Sequence, residues 1–168
     1  MQRIAIIGCC GSGKSTLAVK LGLKLNLPVI HLDSYYWKAG WIESSEEEWI
    51  DKQKLLVKRD RWIIDGNYLN TMDIRLEAAD TVILLDFSRW LCLWRIGQRY
   101  LHHRGKVRSD MADGCIERFN MDFLWYVWNF ANNQKESILS KLELYKYGKQ
   151  IIILKNTQQL KDFLSELN

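Results

Sequence analysis

The sequence predicts an α/β protein in three layers, with helices on both faces of a five-stranded parallel sheet. Two observations carry this. Short apolar runs alternate with longer stretches of helical period, as βαβ units require, since parallel neighbours can be joined only by a crossover. The 168 residues, 48% hydrophobic and 26% charged, suffice to bury one substantial core. Neither a repeat nor a linker-like tract divides the chain, so it reads as one domain, 1–168.

The first strand is the buried run Ile4 to Ile7. It leads into Gly8, Cys9, Cys10, Gly11, Ser12, Gly13, Lys14, Ser15 and Thr16, the G-x-x-x-x-G-K-[ST] phosphate-binding P-loop, and Leu17 onward continues as a helix. Glycines let the backbone turn and aim N–H groups at phosphate oxygens, with a positive helix end behind. These nine residues are expected to bind a nucleoside triphosphate. Lys14 reaches its β/γ-phosphates, and the Ser15 hydroxyl sits on Mg²⁺.

Pro28, the only proline, opens the second strand, Val29 to Leu32. Ligands of open α/β sheets lie beyond the carboxyl ends of the strands, which aims Asp33 into the crevice. There it can orient or deprotonate an acceptor hydroxyl; its alternative is a turn or cap residue. Tyr35, Tyr36, Trp37 and Trp41 stack on a base or sugar, or pack. The stretch 34–60 is read as an acceptor-binding insert. It holds a capping box, Ser45 to Glu48, opening a supporting helix that runs to about Arg59. The third strand, Trp62 to Ile64, ends in Asp65, the Walker B pattern for a carboxylate on Mg²⁺.

The fourth strand, Thr81 to Leu85, precedes a Ser88-capped helix to about Arg104. Arg95 and Arg99, four apart, share one of its faces and suit a bidentate phosphate clamp that acts in catalysis. Of the 24 Lys/Arg and 20 Asp/Glu, seven bases and three acids lie between Arg89 and Arg118, so that stretch holds the whole net charge of +4. Residues 95–120 are therefore read as a basic lid, with Arg104, Arg108 and Arg118 as its phosphate contacts. Met121 to about Tyr145 reads as one long aromatic helix. The fifth strand, Ile151 to Leu154, runs into Lys155-Asn156-Thr157, where backbone can hold adenine and Thr157 caps a final amphipathic helix.

The four cysteines form no C-x-x-C pair, and their spacing with His102, His103 and Asp113 matches no standard zinc pattern. Met1-Gln2-Arg3 runs straight into the first strand and no apolar run is long enough to span a bilayer. Reduced thiols, a cytoplasmic location and no membrane partner are expected.

The P-loop, the Asp65-Gly66 strand end and Arg95-Ile96-Gly97-Gln98-Arg99 entering a basic lid together resemble the nucleoside monophosphate kinases, above all adenylate kinase. HLDSYYWKAGW, RWIIDGNY, DTVILLDFSRWLCLWR and RGKVRSDMADGCIERF are more closely similar to the bacterial topology modulation proteins of the same broad family. The resemblance spans Arg3 to at least Phe130. It implies the P-loop NTPase strand order 2-3-1-4-5 with a helical lid, and ATP and Mg²⁺ held by Lys14, Ser15 and Asp65. It departs on the acceptor side. Asp65-Gly66-Asn67-Tyr68, with Arg75 beyond, replaces Asp-Gly-Phe-Pro-Arg, and Leu32-Asp33-Ser34-Tyr35-Tyr36 looks more like uridine or shikimate kinases. Asp33, Tyr35, Tyr36, Asn67, Tyr68 and Arg75 are thus the expected acceptor residues. The function expected is transfer of the ATP γ-phosphoryl to a nucleoside monophosphate or a hydroxyl-bearing small molecule. The alternative, drawn from the family name and the basic stretch, is a nucleotide-binding regulator acting on DNA.

Overall fold

In a computed structural model, residues 1–167 are described; Asn168, the last residue of the expected domain, lies outside them. The chain opens with β1 (Arg3–Gly8), the helix α1 (Lys14–Leu25) and β2 (Val29–His31). The insert follows as a helical turn α2 (Asp33–Tyr36), the strands β3 (Trp37–Lys38) and β4 (Ile42–Glu43), and α3 (Glu46–Val57). Then come β5 (Trp62–Asp65), a 3₁₀ turn (Leu69–Thr71), α4 (Met72–Ala78), β6 (Thr81–Leu85) and α5 (Arg89–His103). Three helices and one strand complete it: α6 (Met121–Asn133), α7 (Lys135–Leu144), β7 (Gln150–Leu154) and α8 (Thr157–Glu166).

Five parallel strands form one sheet in the order β2-β5-β1-β6-β7, which counts as 2-3-1-4-5 once the β3–β4 hairpin is set aside. Central strands of such a sheet are covered on both faces, so they read as unbroken apolar runs. Ile4, Ala5, Ile6 and Ile7 of β1 are fully buried, as are Val82 and Ile83 of β6. β1 pairs Ile6 with Asp65 on one side and Gly8 with Leu85 on the other. His31 pairs with Asp65 in turn. The carboxyl ends of β1, β2, β5 and β6 therefore meet along one edge, and the site is built there.

Helix ends follow local chemistry. Ser45 and Glu48 close a reciprocal capping box on α3, and the Ser88 side chain accepts from Leu91 N at the start of α5. Asn156, not Thr157, caps α8: its side chain accepts the Gln159 N–H while its backbone is extended, and Thr157 is already helical. The long helix expected from Met121 to Tyr145 is two helices. Gln134 leaves the helical region (φ −125°, ψ −26°) after Asn132 and Asn133, both weak helix formers. Its side chain is drawn away to Asn67 and Tyr126. The lid is helical only at its root, within α5. Beyond it, 104–120 is turns with one antiparallel bridge, Val107 to Ile116. No helix among the described residues is long and apolar enough to cross a membrane.

Candidate functional site

A cavity of about 1140 Å³ opens over the strand ends, lined by the P-loop, the insert, the Asp65–Thr71 segment, the lid and α8. At its floor the P-loop wraps a helix start that has no side-chain cap: Gly13 is left-handed (φ 98°), which leaves the first N–H groups of α1 free for an anion. The loop fits tightly against α5. A Cβ on Gly11 (φ +79°) would lie 2.4 Å from the Cys92 carbonyl oxygen, so only glycine fits. The Lys14 ammonium donates to Cys9 O at 3.0 Å, and Arg95 Nη1 donates to Ser12 O at 2.7 Å. Arg95, expected to clamp phosphate together with Arg99, thereby braces the P-loop backbone. Cys9 and Cys10 are free thiols, and the Cys92 thiol together with burial pushes Cys9 up, which keeps it protonated.

Four groups surround the place where Mg²⁺ is expected: Ser15, Asp65, His31 and Asp110. The Ser15 hydroxyl donates to Asp65 Oδ2 at 2.8 Å, and His31 Nδ1 lies 2.5 Å from Asp65 Oδ1. Burial pulls the His31 imidazole down, but its bond to Asp65 and that carboxylate's charge outweigh it, and the net shift is up. Asp110 of the lid lines the same space. Burial works against its charge, and Arg108 and Ser15 overcome this, holding the carboxyl below its usual range. A hydroxyl beside carboxylate oxygens is the donor set that suits Mg²⁺, which takes few protein ligands and keeps phosphates and waters. His31 and Asp110 were not singled out as site residues. His31 ends β2 beside Asp65 in register, a relation that needs the strand order; Asp110 reaches the site only because the lid folds back.

Asp33 faces this cavity from the start of α2, and burial raises its carboxyl above the ordinary range. The Tyr68 hydroxyl donates to Asp33 Oδ1 at 2.6 Å. Tyr68 itself is left-handed (φ 31°, ψ 70°), a conformation costly for an aromatic residue and held here at the turn that aims its ring. Tyr36, Asn67 and Tyr68 line the cavity as expected of acceptor residues. Tyr35 does not; it packs against the core. Arg75 does not either. It is 1% exposed, and its guanidinium donates to Asn67 O at 2.8 Å, to Gly66 O and to Gln53 Oε1. Burial lowers it to about 10. It clamps the backbone of the Gly66–Tyr68 turn from behind instead of meeting a ligand.

The segment 104–120, expected as the lid, covers this chamber and docks on the hairpin. Gly40 N donates to Gly114 O at 3.2 Å, Trp41 Nε1 to Ile116 O at 2.9 Å, and the Cys115 thiol to Lys38 O at 3.3 Å. Its cations are largely engaged. Arg99 Nε donates to Glu117 at 3.0 Å, and Arg108 Nε to Asp110 at 3.0 Å. Arg108 Nη1 lies 3.2 Å from Glu117 Oε2 without hydrogen-bond alignment, so both atoms are buried and unpartnered. Arg118 covers the Trp41 ring at 5.5 Å. Arg104, expected to touch phosphate, is exposed outside the cavity and lies over Tyr100 at 6.0 Å.

No protein-family model matches the chain. The uncharacterized protein YqaC of Bacillus subtilis (strain 168) is 26% identical over 135 residues, 78% of this chain and 74% of that one. Among solved structures, shikimate kinase from Acinetobacter baumannii in complex with shikimate aligns over 99% of this chain and 90% of its own, with TM-score 0.58 and 15% identity. A sugar kinase from Janibacter sp. HTCC2649 aligns over 98% and 93%, with TM-score 0.56 and 17% identity. A gluconokinase from Sinorhizobium meliloti 1021 aligns over 99% and 89%, with TM-score 0.55 and 16% identity. The fold is that of P-loop kinases.

Proposed function

We propose that this protein is an ATP-dependent kinase that phosphorylates a hydroxyl group of a small acceptor. The observation that carries the reading is the joint placement, in one cavity, of a P-loop and the Asp33 carboxylate, held by Tyr68. Lys14, the α1 N-terminus and the P-loop N–H groups bind the triphosphate, and Thr157 beyond β7 lines the base end. Ser15 and Asp65 would hold Mg²⁺, which would supply charge neutralisation to the phosphates. Asp33, its oxygen steadied by Tyr68, takes the acceptor proton as the hydroxyl attacks the γ-phosphorus in line. Arg95, Arg99 and Arg108 stabilise the charge on the transferring group, and the docked lid excludes water. In this reading 1–168 acts as one domain, with 34–60 on the acceptor and 95–120 as lid.

The similarity to topology modulation proteins rests on the sequence stretches quoted above. Arg99, Arg108 and Arg118 turn onto Glu117, Asp110 and Trp41, so these three cations present no free row to a duplex, which weighs against direct action on DNA. The test is ADP formation with Mg²⁺ across a panel of hydroxylated metabolites, nucleosides and nucleoside monophosphates. One acceptor stimulates turnover, and Lys14→Ala abolishes it. A flat panel in a protein that binds ATP overturns the proposal.

A further inference from the structure

The kinase reading leaves the acceptor open, and the acceptor end of the cavity has a distinct chemistry. On its wall between the insert and α6, Arg99 lies over Phe123 at 5.7 Å but is engaged by Glu117. Arg75, the one guanidinium nearby in sequence, is sealed behind the turn, and Arg118 of the lid is spent on the Trp41 ring. Carboxylates are present instead: Asp33, and Glu43, which accepts from Tyr36 OH at 3.0 Å. A carboxylate or phosphomonoester acceptor would meet like charge, and guanidinium groups already held by Glu117, Asp110 and Trp41.

What the wall does offer is an amide pair among aromatic rings. Asn67 is 8% exposed, and its Oδ1 is buried with no partner. Its Nδ2 donates to Gln134 Oε1 at 2.8 Å, and the same oxygen accepts from Tyr126 OH at 3.3 Å. With its oxygen so occupied, Gln134 has only its Nε2 hydrogens left to present. An unpaired buried acceptor beside a free amide donor matches a donor and an acceptor side by side on the edge of a planar heterocycle. Tyr36 and Tyr68, with centroids 4.7 Å apart, form one aromatic wall; Phe123 and Tyr126, nearly parallel at 18°, form the other. All four line the cavity.

We infer, resting on the kinase reading, that the acceptor is an uncharged nucleoside. Its base lies between the aromatic walls on the Asn67–Gln134 pair, and a sugar hydroxyl lies at Asp33. The sugar oxygen attacks the γ-phosphorus of ATP, its proton passes to Asp33, the γ–β bridging bond breaks, and the electron pair leaves with ADP. The products are a nucleoside monophosphate and ADP.

Calorimetric binding without ATP tests this, using the common ribo- and deoxyribonucleosides, their 5′-monophosphates and the anionic hydroxy acid shikimate. At least one nucleoside binds, its monophosphate binds at least about tenfold more weakly, and Asn67→Ala weakens the nucleoside about tenfold to a hundredfold, since an unpaired buried polar group is left behind. Gln134→Leu, at a less buried position, gives the same loss with an unchanged melting temperature. Absence of nucleoside binding, tighter binding of a monophosphate or of shikimate, or a folded Gln134→Leu protein of full affinity overturns the inference. The same samples with ATP and Mg²⁺ separate the two claims. Nucleoside binding without ADP formation supports the nucleoside site and refutes the kinase; turnover with an anionic acceptor alone does the reverse.

Discussion

Asp33 and Tyr68 form a hydrogen-bonded pair in the cavity. Burial disfavours the Asp33 carboxylate, and the Tyr68 hydroxyl partly restores it. The acid limb of kcat/KM should therefore lie above the ordinary carboxylate range, and Tyr68→Phe should move it higher still, as a pH–rate profile would show. A limb that stays put in Tyr68→Phe would remove Asp33 from the role of base. Linkage gives a second readout. A raised carboxyl adds stability at low pH that is lost as pH rises through its folded value, so Asp33→Asn should melt higher than wild type at neutral pH while losing turnover. Lys14→Ala should lower kcat by at least about 10²-fold, since it removes a charge aimed at the transferring phosphates, and should leave the circular dichroism spectrum unchanged.

At the scale of elements, the turn Gly66–Tyr68 depends on Arg75. Truncation to alanine strands Gln53 and two backbone carbonyls, and should cost about 2–3 kcal/mol in urea unfolding. A loss under about 0.5 kcal/mol would show that the clamp does not hold the turn. Ser45→Ala, which opens the α3 capping box, should cost about 1 kcal/mol by the same measurement. The contrast between these two residues shows what can be read in a sequence. The Ser45–Glu48 box, the P-loop and the apolar strands are local patterns, complete within a few residues, and they appear where expected. Arg75 follows a Walker B strand and looks like a ligand-binding cation, because nothing local reveals that Gln53, 22 residues earlier, closes over it. Gln134 sits in a stretch with no proline or glycine to end a helix, yet its partner Asn67 is 67 residues away and the helix breaks there.

Across the whole molecule, the tryptophans sort by layer. Trp62 is core, Trp37, Trp41 and Trp49 line the cavity on the side proposed for the acceptor, and Trp90, Trp94 and Trp125 stay 62–69% exposed on the α5 and α6 surface. Only the second group belongs to the site, so ligand binding should be reported chiefly by quenching of those three. The closed lid joins the two halves of the cavity through the hairpin. Trp41→Ala, which removes the Ile116 hydrogen bond and the seat of Arg118, should raise acceptor-independent ATP hydrolysis by letting water in. An unchanged hydrolysis rate would mean that the hairpin contact does not seal the site. The account as a whole is tested most directly by product stoichiometry: phosphorylated acceptor and ADP, measured together by mass spectrometry in the presence of Mg²⁺. Group transfer predicts one phosphorylated acceptor per ADP, with both lost in Lys14→Ala. ADP accompanied only by inorganic phosphate, at a rate that no acceptor changes, would contradict it.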